Sequence, residues 1–223
     1  MKNLILFLKI SMMLFILIYF SGNSYSQEFS KKEKDFLKVN SVKSRTSYSS
    51  EGKKTYQINY DRYGNTTEEL SLDKNEDVEK KYSFSYDDDN NLVKEKRYVN
   101  GSLNQTVTYK SEVSSNGNLK RVKRYLDDEY DGYYTFEYDE NNNLTVRKFY
   151  DKSGENYATY MYQYDSKDKL TGEDNIFIIN NKTIKMIQKY KYDYNGNLKQ
   201  NDWYVDGLDD KYTTTYKYTY FDD

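Results

Sequence analysis

Carboxylates are the main candidates for acid–base chemistry in this 223-residue sequence, which contains no His and no Cys. The absence of His and Cys excludes the Ser-His-Asp triad and any metal site built from imidazole or thiolate ligands. A glycosidase needs two carboxylates about 5 to 10 Å apart in a cleft. The sequence has 36 Asp and Glu residues but singles out no such pair. We therefore assign no catalytic residue and expect a protein that is not an enzyme.

Two segments, Asp87 to Asn91 and Asp139 to Asn143, place side-chain oxygens at alternate positions, as a calcium-binding loop does. Neither has the downstream bidentate Glu at the required spacing. Lys167 and Lys169 occupy two of the equivalent positions in a related segment. Turn formation explains the same residues without a metal, so the sequence predicts no metal and no other cofactor.

Aromatic residues offer a third kind of chemistry, since 28 Tyr and a single Trp stand among Asp and Asn residues. Such rings can stack on sugars, which makes Trp203 and Tyr204 the candidate ligand-binding residues. The alternative is that rings repeated at one strand position simply cover a sheet, and we favour this interpretation.

A short turn segment repeats six times and organises most of the chain. Its last residues are Thr66, Leu92, Leu119, Leu144, Leu170 and Leu198, at spacings of 26, 27, 25, 26 and 28 residues. A near-constant period of this length is typical of repeat architectures.

The composition of each turn has a backbone reason. An Asp at the first position accepts a hydrogen bond from the chain two residues on, and the fourth position must tolerate a left-handed conformation. The Asp residues are Asp61, Asp87, Asp139, Asp165 and Asp193. The fourth positions are Gly64, Asn90, Gly117, Asn142, Asp168 and Gly196. The pattern predicts a type I turn followed by a bulge in a β-hairpin.

The segments on either side of each turn have the alternation of β-strands. Tyr82, Phe84 and Tyr86 precede one turn and alternate with polar residues, which indicates one packed and one solvated face. A second strand follows, for example Leu92 to Tyr98, and ends at a more variable turn such as Asn100-Gly101 or Asn180-Asn181. The sequence therefore predicts an all-β domain over residues 41–223, an antiparallel up-and-down meander of about 14 strands.

The pattern Tyr-x-Tyr-Asp-x-x-Gly-Asn-Leu resembles the YD repeats of RHS proteins, in which successive hairpins build a long curling sheet. Residues Asn116 to Lys120 and Tyr204 to Gly207 also resemble, less closely, the MORN-variant repeats of YwqK-type antitoxin proteins. The resemblance covers roughly residues 41–220 and implies a fold rather than a function. RHS cages contain many more repeats, so an enclosed cargo is not implied.

Three forms of the sheet are compatible with these strands: an open curled sheet, a closed soluble barrel and a membrane barrel. A membrane barrel needs an outward apolar band about 25 Å tall. Here Lys94, Lys96, Arg121 and Lys123 interrupt the apolar face, which argues against it. Closure removes sheet edges, and the half-repeats at both ends could pair. Between the two soluble forms we favour the open sheet.

Residues 1–26 have the features of a secretory signal peptide: Lys2, an apolar run from Ile10 to Phe20, and small residues at Ser24 to Ser26. An uncleaved membrane anchor is the alternative. Cleavage would leave Gln27 as the first residue and change the net charge from −2 to −4. No Cys follows the run, so a lipoprotein is excluded, and the location is periplasmic or extracellular. Residues 27–40 are predicted to be a linker or short helix.

The functional expectation follows from export and from the sheet. Basic and acidic residues are interspersed along the sequence, which argues against nucleic acid binding, and no membrane span is expected after signal cleavage. We expect a non-enzymatic exported protein whose Tyr-rich sheet binds an unidentified protein, envelope or glycan partner. A carbohydrate-binding module using Trp203 and Tyr204 is the alternative.

Overall fold

The computed structural model describes residues 41–49, 51–179 and 182–221, which form fourteen β-strands. The strands are β1 (Val42–Tyr48), β2 (Lys54–Tyr60), β3 (Thr66–Leu72), β4 (Val78–Tyr86), β5 (Leu92–Val99), β6 (Ser102–Val113), β7 (Leu119–Leu126), β8 (Glu129–Tyr138), β9 (Leu144–Asp151), β10 (Asn156–Tyr164), β11 (Leu170–Ile179), β12 (Lys182–Tyr192), β13 (Leu198–Val205) and β14 (Lys211–Tyr220). The predicted signal peptide (1–26) and linker (27–40) lie outside the described residues. Among the described residues, no helix has the length and apolar character needed to cross a membrane.

Each strand pairs antiparallel with the next, and β1 pairs with β14, so the meander is a closed barrel. Arg45 lies opposite Tyr218 at this seam, and Ser47 lies opposite Tyr216. The prediction of an all-β meander of about 14 strands is confirmed. The preference for an open sheet is wrong, because the two edge strands satisfy each other's backbone hydrogen bonds.

A bulge beside each repeated turn changes which side chains face the interior. Tyr86 lies opposite Leu92, but Ser85 lies opposite Lys94, so one extra residue is inserted in β5. This one-residue shift moves every following side chain to the other face of the sheet. Lys94 is therefore exposed, and Glu95, opposite Phe84, is fully buried. The interpretation that Lys94 and Lys96 interrupt the packed face is wrong.

The same shift operates in β7. Val113 lies opposite Leu119, and Glu112 lies opposite Arg121, with the irregularity between these two pairs. Val122 consequently points inward and is buried, while Arg121 and Lys123 lie on the outer surface. These two cations do not interrupt the packed face either.

Buried side chains pack against one another in the interior of the barrel. The larger core cluster runs from β4 to β11 and includes edge-to-face ring pairs such as Tyr134 with Phe149, 4.4 Å between centroids. A smaller cluster of Val42, Ile58 and Tyr60 lies beside the seam. Aromatic pairs in this geometry add to the stabilisation from burial alone.

The repeated turns and the remaining connections lie at opposite ends of the barrel. Because the strands alternate in direction, the six repeated turns all lie at one end, which we call the fixed rim, and the remaining connections lie at the variable rim. The described variable connections include the two-residue turns Asn100-Gly101 and Asp127-Asp128, both with positive φ at each residue. The predicted turn at Asn180-Asn181 lies outside the described residues.

Candidate functional site

The Asp residues of the fixed rim bind their own backbone. One oxygen of Asp61 accepts hydrogen bonds from the N–H groups of Tyr63 and Asn65, at 2.8 and 2.9 Å. Asp87, Asp139 and Asp165 make the same pair of bonds, and Asp193 accepts from the N–H of Asn197. These bonds lower the pKa of the Asp139 carboxyl, with the Asn143 side chain as the first cause, and the backbone N–H groups lower the pKa of Asp165.

The fourth position of each repeated turn is left-handed. The φ values lie between 60° and 86° at Gly64, Asn90, Gly117, Asn142, Asp168 and Gly196. This region is open to Gly and tolerated by Asn and Asp. The turn residues singled out in the sequence thus shape the backbone of the fixed rim.

The hydrogen bonds of the Asp87 carboxylate bear on whether Asp87 to Asn91 could form a calcium-binding loop. Oδ1 of Asp87 accepts from the N–H groups of Asp89 and Asn91, and Oδ2 accepts from the Asn91 amide at 3.2 Å. The two carboxylate oxygens of Asp87 therefore accept hydrogen bonds from the protein itself. Within the described ranges, no group of three or more acidic side chains is arranged to hold a metal ion. The absence of a cofactor stays a prediction.

Amide side chains join neighbouring turns around the fixed rim. Asn65 donates to Oδ1 of Asn90 at 3.1 Å, and Asn143 donates to Oδ1 of Asp168 at 2.8 Å. Similarly, Asn118 donates to Asn142. These bonds connect residues about one repeat apart; they join the first repeated turn to the second, the third to the fourth, and the fourth to the fifth.

Tyr hydroxyls bond successive repeats together just inside this rim. In each case the hydroxyl donates to the backbone carbonyl at the start of the return strand in the preceding repeat. The bonds are Tyr86 to Thr66 (2.8 Å), Tyr164 to Leu144 (2.9 Å), Tyr192 to Leu170 (2.7 Å) and Tyr218 to Leu198 (2.9 Å). A partly buried hydroxyl with a partner carries no desolvation penalty, which explains why Tyr rather than Phe recurs there.

A second, unpredicted layer of polar residues crosses the middle of the interior, and we call it the buried belt. It occupies the third position after the start of each return strand, and Val122 is its one apolar member: Arg45, Glu69, Glu95, Val122, Arg147, Glu173 and Asn201. All but Arg45 are at most 8% exposed. The sequence did not predict the belt, because polar residues of an alternating strand are expected on the outer face. The available signal was the constant offset of three residues from the end of each repeated turn.

Each Glu of the buried belt accepts a hydrogen bond from a Tyr hydroxyl. Tyr109 donates to Glu95 at 2.5 Å, and Tyr190 donates to Glu173 at 3.0 Å. Arg97 Nε also lies 2.6 Å from Glu95, which gives that carboxylate a buried ion pair. Buried charges are retained only with such partners, so these carboxylates belong to the packed interior.

Glu69 has a perturbed pKa. Burial raises its pKa to about 7, the nearby Glu95 contributes in the same direction, and a hydrogen bond from Tyr56 opposes the shift. A raised carboxyl pKa can mark a general acid. Here the side chain is only 1% exposed, and a substrate would have to displace the core to reach it.

The predicted ligand-binding pair is divided between the two faces of β13. Trp203 points inward, opposite Gln188 and Tyr212, and its ring stacks on that of Tyr212 at 4.4 Å. Tyr204 points outward, opposite Ile187 and Lys211. Adjacent strand residues face opposite sides of a sheet, so the two rings do not form one platform for a sugar.

A cluster of cations lies on the outer surface of β5, β6 and β7, and we call it the basic wall. Its members are Lys94, Lys96, Lys110, Arg121 and Lys123. Glu112 is the only carboxylate among the described residues that lies within ion-pair distance of the cluster, 3.3 Å from Lys123.

Elsewhere on the outer surface, lysines are often paired with acids. Lys185 lies 2.9 Å from Asp174, and Lys191 lies 2.9 Å from Asp202. Side-chain hydrogen bonds to Asp202, above all the one from Lys191, lower the pKa of its carboxyl. The interspersed charges of the sequence are thus unevenly distributed in space, with the basic wall as a local excess of positive charge.

The fold and these features define a closed barrel of antiparallel hairpin repeats with a packed interior. No protein-family model and no curated protein matches the sequence. Among solved structures, a porin-like protein from Bacteroides uniformis is similar, with 11% identity, a TM-score of 0.46 and coverage of 81% of this chain and 98% of that chain.

Two structures of Tc toxins are also similar. One is the TcdB2-TccC3-Cdc42 complex, with 18% identity, a TM-score of 0.37 and coverage of 77% of this chain. The other is the Tc holotoxin pore of Photorhabdus luminescens, with 14% identity, a TM-score of 0.26 and coverage of 70%. The matches span 10% and 12% of those two longer chains.

Proposed function

We propose that this chain is an exported, non-catalytic repeat protein that binds a protein or cell-envelope partner through the outer surface of its barrel. The observation that carries the proposal is the packed interior: rings and paired charges pack inside the barrel, so a partner meets the outer surface. That surface holds the basic wall and several outward-facing Tyr rings.

The environment of the acidic residues supports a non-catalytic role. The Glu residues of the buried belt are bonded to Tyr hydroxyls inside the core. The Asp residues at the starts of the fixed-rim turns accept bonds from their own backbone. General acid–base catalysis needs a titratable group within hydrogen-bond reach of a substrate, and neither set offers one.

Cation–ring pairs on the outer surface support a binding role. Lys81 lies 5.2 Å from the centre of the Tyr98 ring, Lys110 lies 5.0 Å from that of Tyr125, and the Arg121 guanidinium lies 3.8 Å from that of Tyr133. Such contacts orient side chains before a partner arrives, which reduces the entropy lost on binding.

Export is supported by the sequence of residues 1–26, which has the features of a secretory signal peptide. The carbohydrate-binding alternative at Trp203 and Tyr204 loses support from their placement on opposite faces of β13. It is therefore not carried into the proposal.

Affinity capture with matched variants tests the proposal. The purified protein is immobilised and exposed to an envelope fraction and to secreted proteins, beside the variants Lys110→Gln/Arg121→Gln and Lys185→Gln/Lys189→Gln. Both variants lose two positive charges, but only the first alters the basic wall. We expect a partner to be retained by the unmodified protein and the control, and less by the wall variant. Failure to retain any component would contradict the proposal.

A further inference from the structure

The cross-strand register brings like charges together in the basic wall. Lys110 lies directly opposite Lys123, which puts their Cβ atoms about 5 Å apart, an arrangement that destabilises a sheet. Lys94 and Lys96 extend the positive surface along β5, opposite Thr108 and Thr106. The fold tolerates this repulsion, and an anion lying across the strands would relieve it.

Among the residues that the structure describes, four of the five cations have no carboxylate within ion-pair distance. Lys94, Lys96, Lys110 and Arg121 make no ion pair with any described residue, and the Arg121 Nε atom is buried without a hydrogen-bond partner. The guanidinium instead lies against the Tyr133 ring, which stacks on Tyr150 at 4.6 Å. Glu112 lies opposite Arg121 in the sheet but forms its ion pair with Lys123, so the guanidinium is held against a ring without an ion pair.

Acidic turns limit the space open to an anion. Asp87 to Asp89 lie in the turn before β5, at the fixed rim, and Asp127 and Asp128 lie in the turn after β7, at the variable rim. Between them, the five cations lie on β5, β6 and β7 together with Glu112, which is paired with Lys123. A narrow polymer running around the barrel meets the cations and avoids both acidic rims.

The side chains of the basic wall favour one class of partner over others. Nucleic acid recognition uses free ring faces for base stacking, but the Tyr133 ring already packs against the Arg121 guanidinium and stacks on Tyr150. A protein interface has an apolar centre, whereas the wall presents ammonium, guanidinium and the hydroxyls of Thr106 and Thr108. These are donors suited to carboxylate and hydroxyl groups.

We propose that the basic wall binds a linear polysaccharide carrying carboxylate groups, laid across β5, β6 and β7. The Lys ammonium groups and Arg121 neutralise its carboxylates, and the threonine hydroxyls bond its sugar hydroxyls. This inference rests on the proposed function, of which it names the partner class.

Binding to alginate, with neutral dextran as the comparison, tests the inference. The purified protein is expected to bind alginate and not dextran, and the affinity falls as salt screens the charges. Lys110→Gln/Arg121→Gln removes two charge-assisted contacts and is expected to weaken binding about tenfold or more. The control Lys185→Gln/Lys189→Gln lies on β12, outside the basic wall, and is expected to bind within about twofold of the unmodified protein.

Three outcomes overturn the inference. Equal weakening in both variants means that net charge alone attracts the polymer. Equal affinity for phosphatidylglycerol vesicles or for DNA at the same salt means that the wall does not select a polysaccharide. No binding to alginate, while the capture experiment still retains an envelope partner, rejects the polysaccharide and leaves the proposed function standing.

Discussion

The backbone N–H of Phe221 donates a 2.8 Å hydrogen bond to the carbonyl of Ser41. The same bond closes every repeated turn; for example, the N–H of Asp87 donates to the carbonyl of Asn91. Tyr220 then lies opposite Val42, and the bulge that follows matches the one inside each hairpin. Strands β14 and β1 are thus the two halves of a seventh repeat that is split between the ends of the described chain.

A circular permutant tests the split repeat. Joining Phe221 to Ser41 through three residues supplies the missing turn, and new ends between Asn100 and Gly101 open a variable turn. Because every pair of strands is retained, we expect the same circular dichroism spectrum and a cooperative unfolding transition. An unfolded permutant would show that the seam does not behave as a hairpin.

The conformation of the fixed rim predicts the effect of a β-branched residue at Gly117. Its φ is 83°, and a side chain placed there meets open space, so any cost comes from the backbone. Gly117→Val is expected to lower the free energy of unfolding by about 1 to 2 kcal/mol, measured by urea denaturation. Gly117→Asn should be much milder, and equal losses in the two variants would contradict this explanation.

The hydroxyl of Tyr86 provides a test of the bonds between repeats. Tyr86→Phe leaves the Thr66 carbonyl without this donor and is expected to lower the free energy of unfolding by about 1 kcal/mol. Tyr194 is fully exposed in a turn, so Tyr194→Phe is the matched control and should have no measurable effect. If the two variants unfold alike, the hydroxyl bond contributes nothing.

Glu69 predicts a pH dependence of stability. Its pKa rises from 4.5 to about 7 on folding, so its contribution to stability is fully present below about pH 4.5 and is lost as the pH rises to about 7. The loss is on the order of 3 kcal/mol. Glu69→Gln cannot ionise, and its free energy of unfolding should fall less over this range than that of the unmodified protein. Parallel pH profiles for the two proteins would exclude ionisation of Glu69 as the cause.

Processing at the amino terminus tests the expectation of export. Expression in a secreting bacterial host, followed by fractionation, is expected to place the protein outside the cytoplasm with Gln27 as its first residue. Intact-mass measurement distinguishes cleavage from an uncleaved anchor. A cytoplasmic protein that retains residues 1–26 would contradict the expectation.

Much of the architecture was predictable because turns and strands are local. Asp61 and Gly64 are three residues apart, and the bond between the Gly64 N–H and the Asp61 carbonyl forms within that span. The alternation of Tyr82, Phe84 and Tyr86 likewise reflects the pleat of a single strand. Strand number and turn positions could be assigned from these short-range patterns.

The buried belt and the basic wall could not be assigned in this way. One extra residue after Leu92 sends Lys94 outward and Glu95 inward, and the sequence does not show the size of a bulge. Trp203 and Tyr204 are adjacent in the sequence, but they point to opposite faces because side chains alternate along a strand. Pairing partners, rather than residue types, decide which side chains meet.

The sequence by itself determined a repeat of β-hairpins, their turns and their strands, because these depend on interactions between residues close together in the chain. Only the tertiary structure decided that the sheet closes, since the contact between Ser41 and Phe221 joins opposite ends of the repeat domain. Closure of the sheet and the bulges beside the repeated turns together place the paired carboxylates inside the barrel and the basic wall outside.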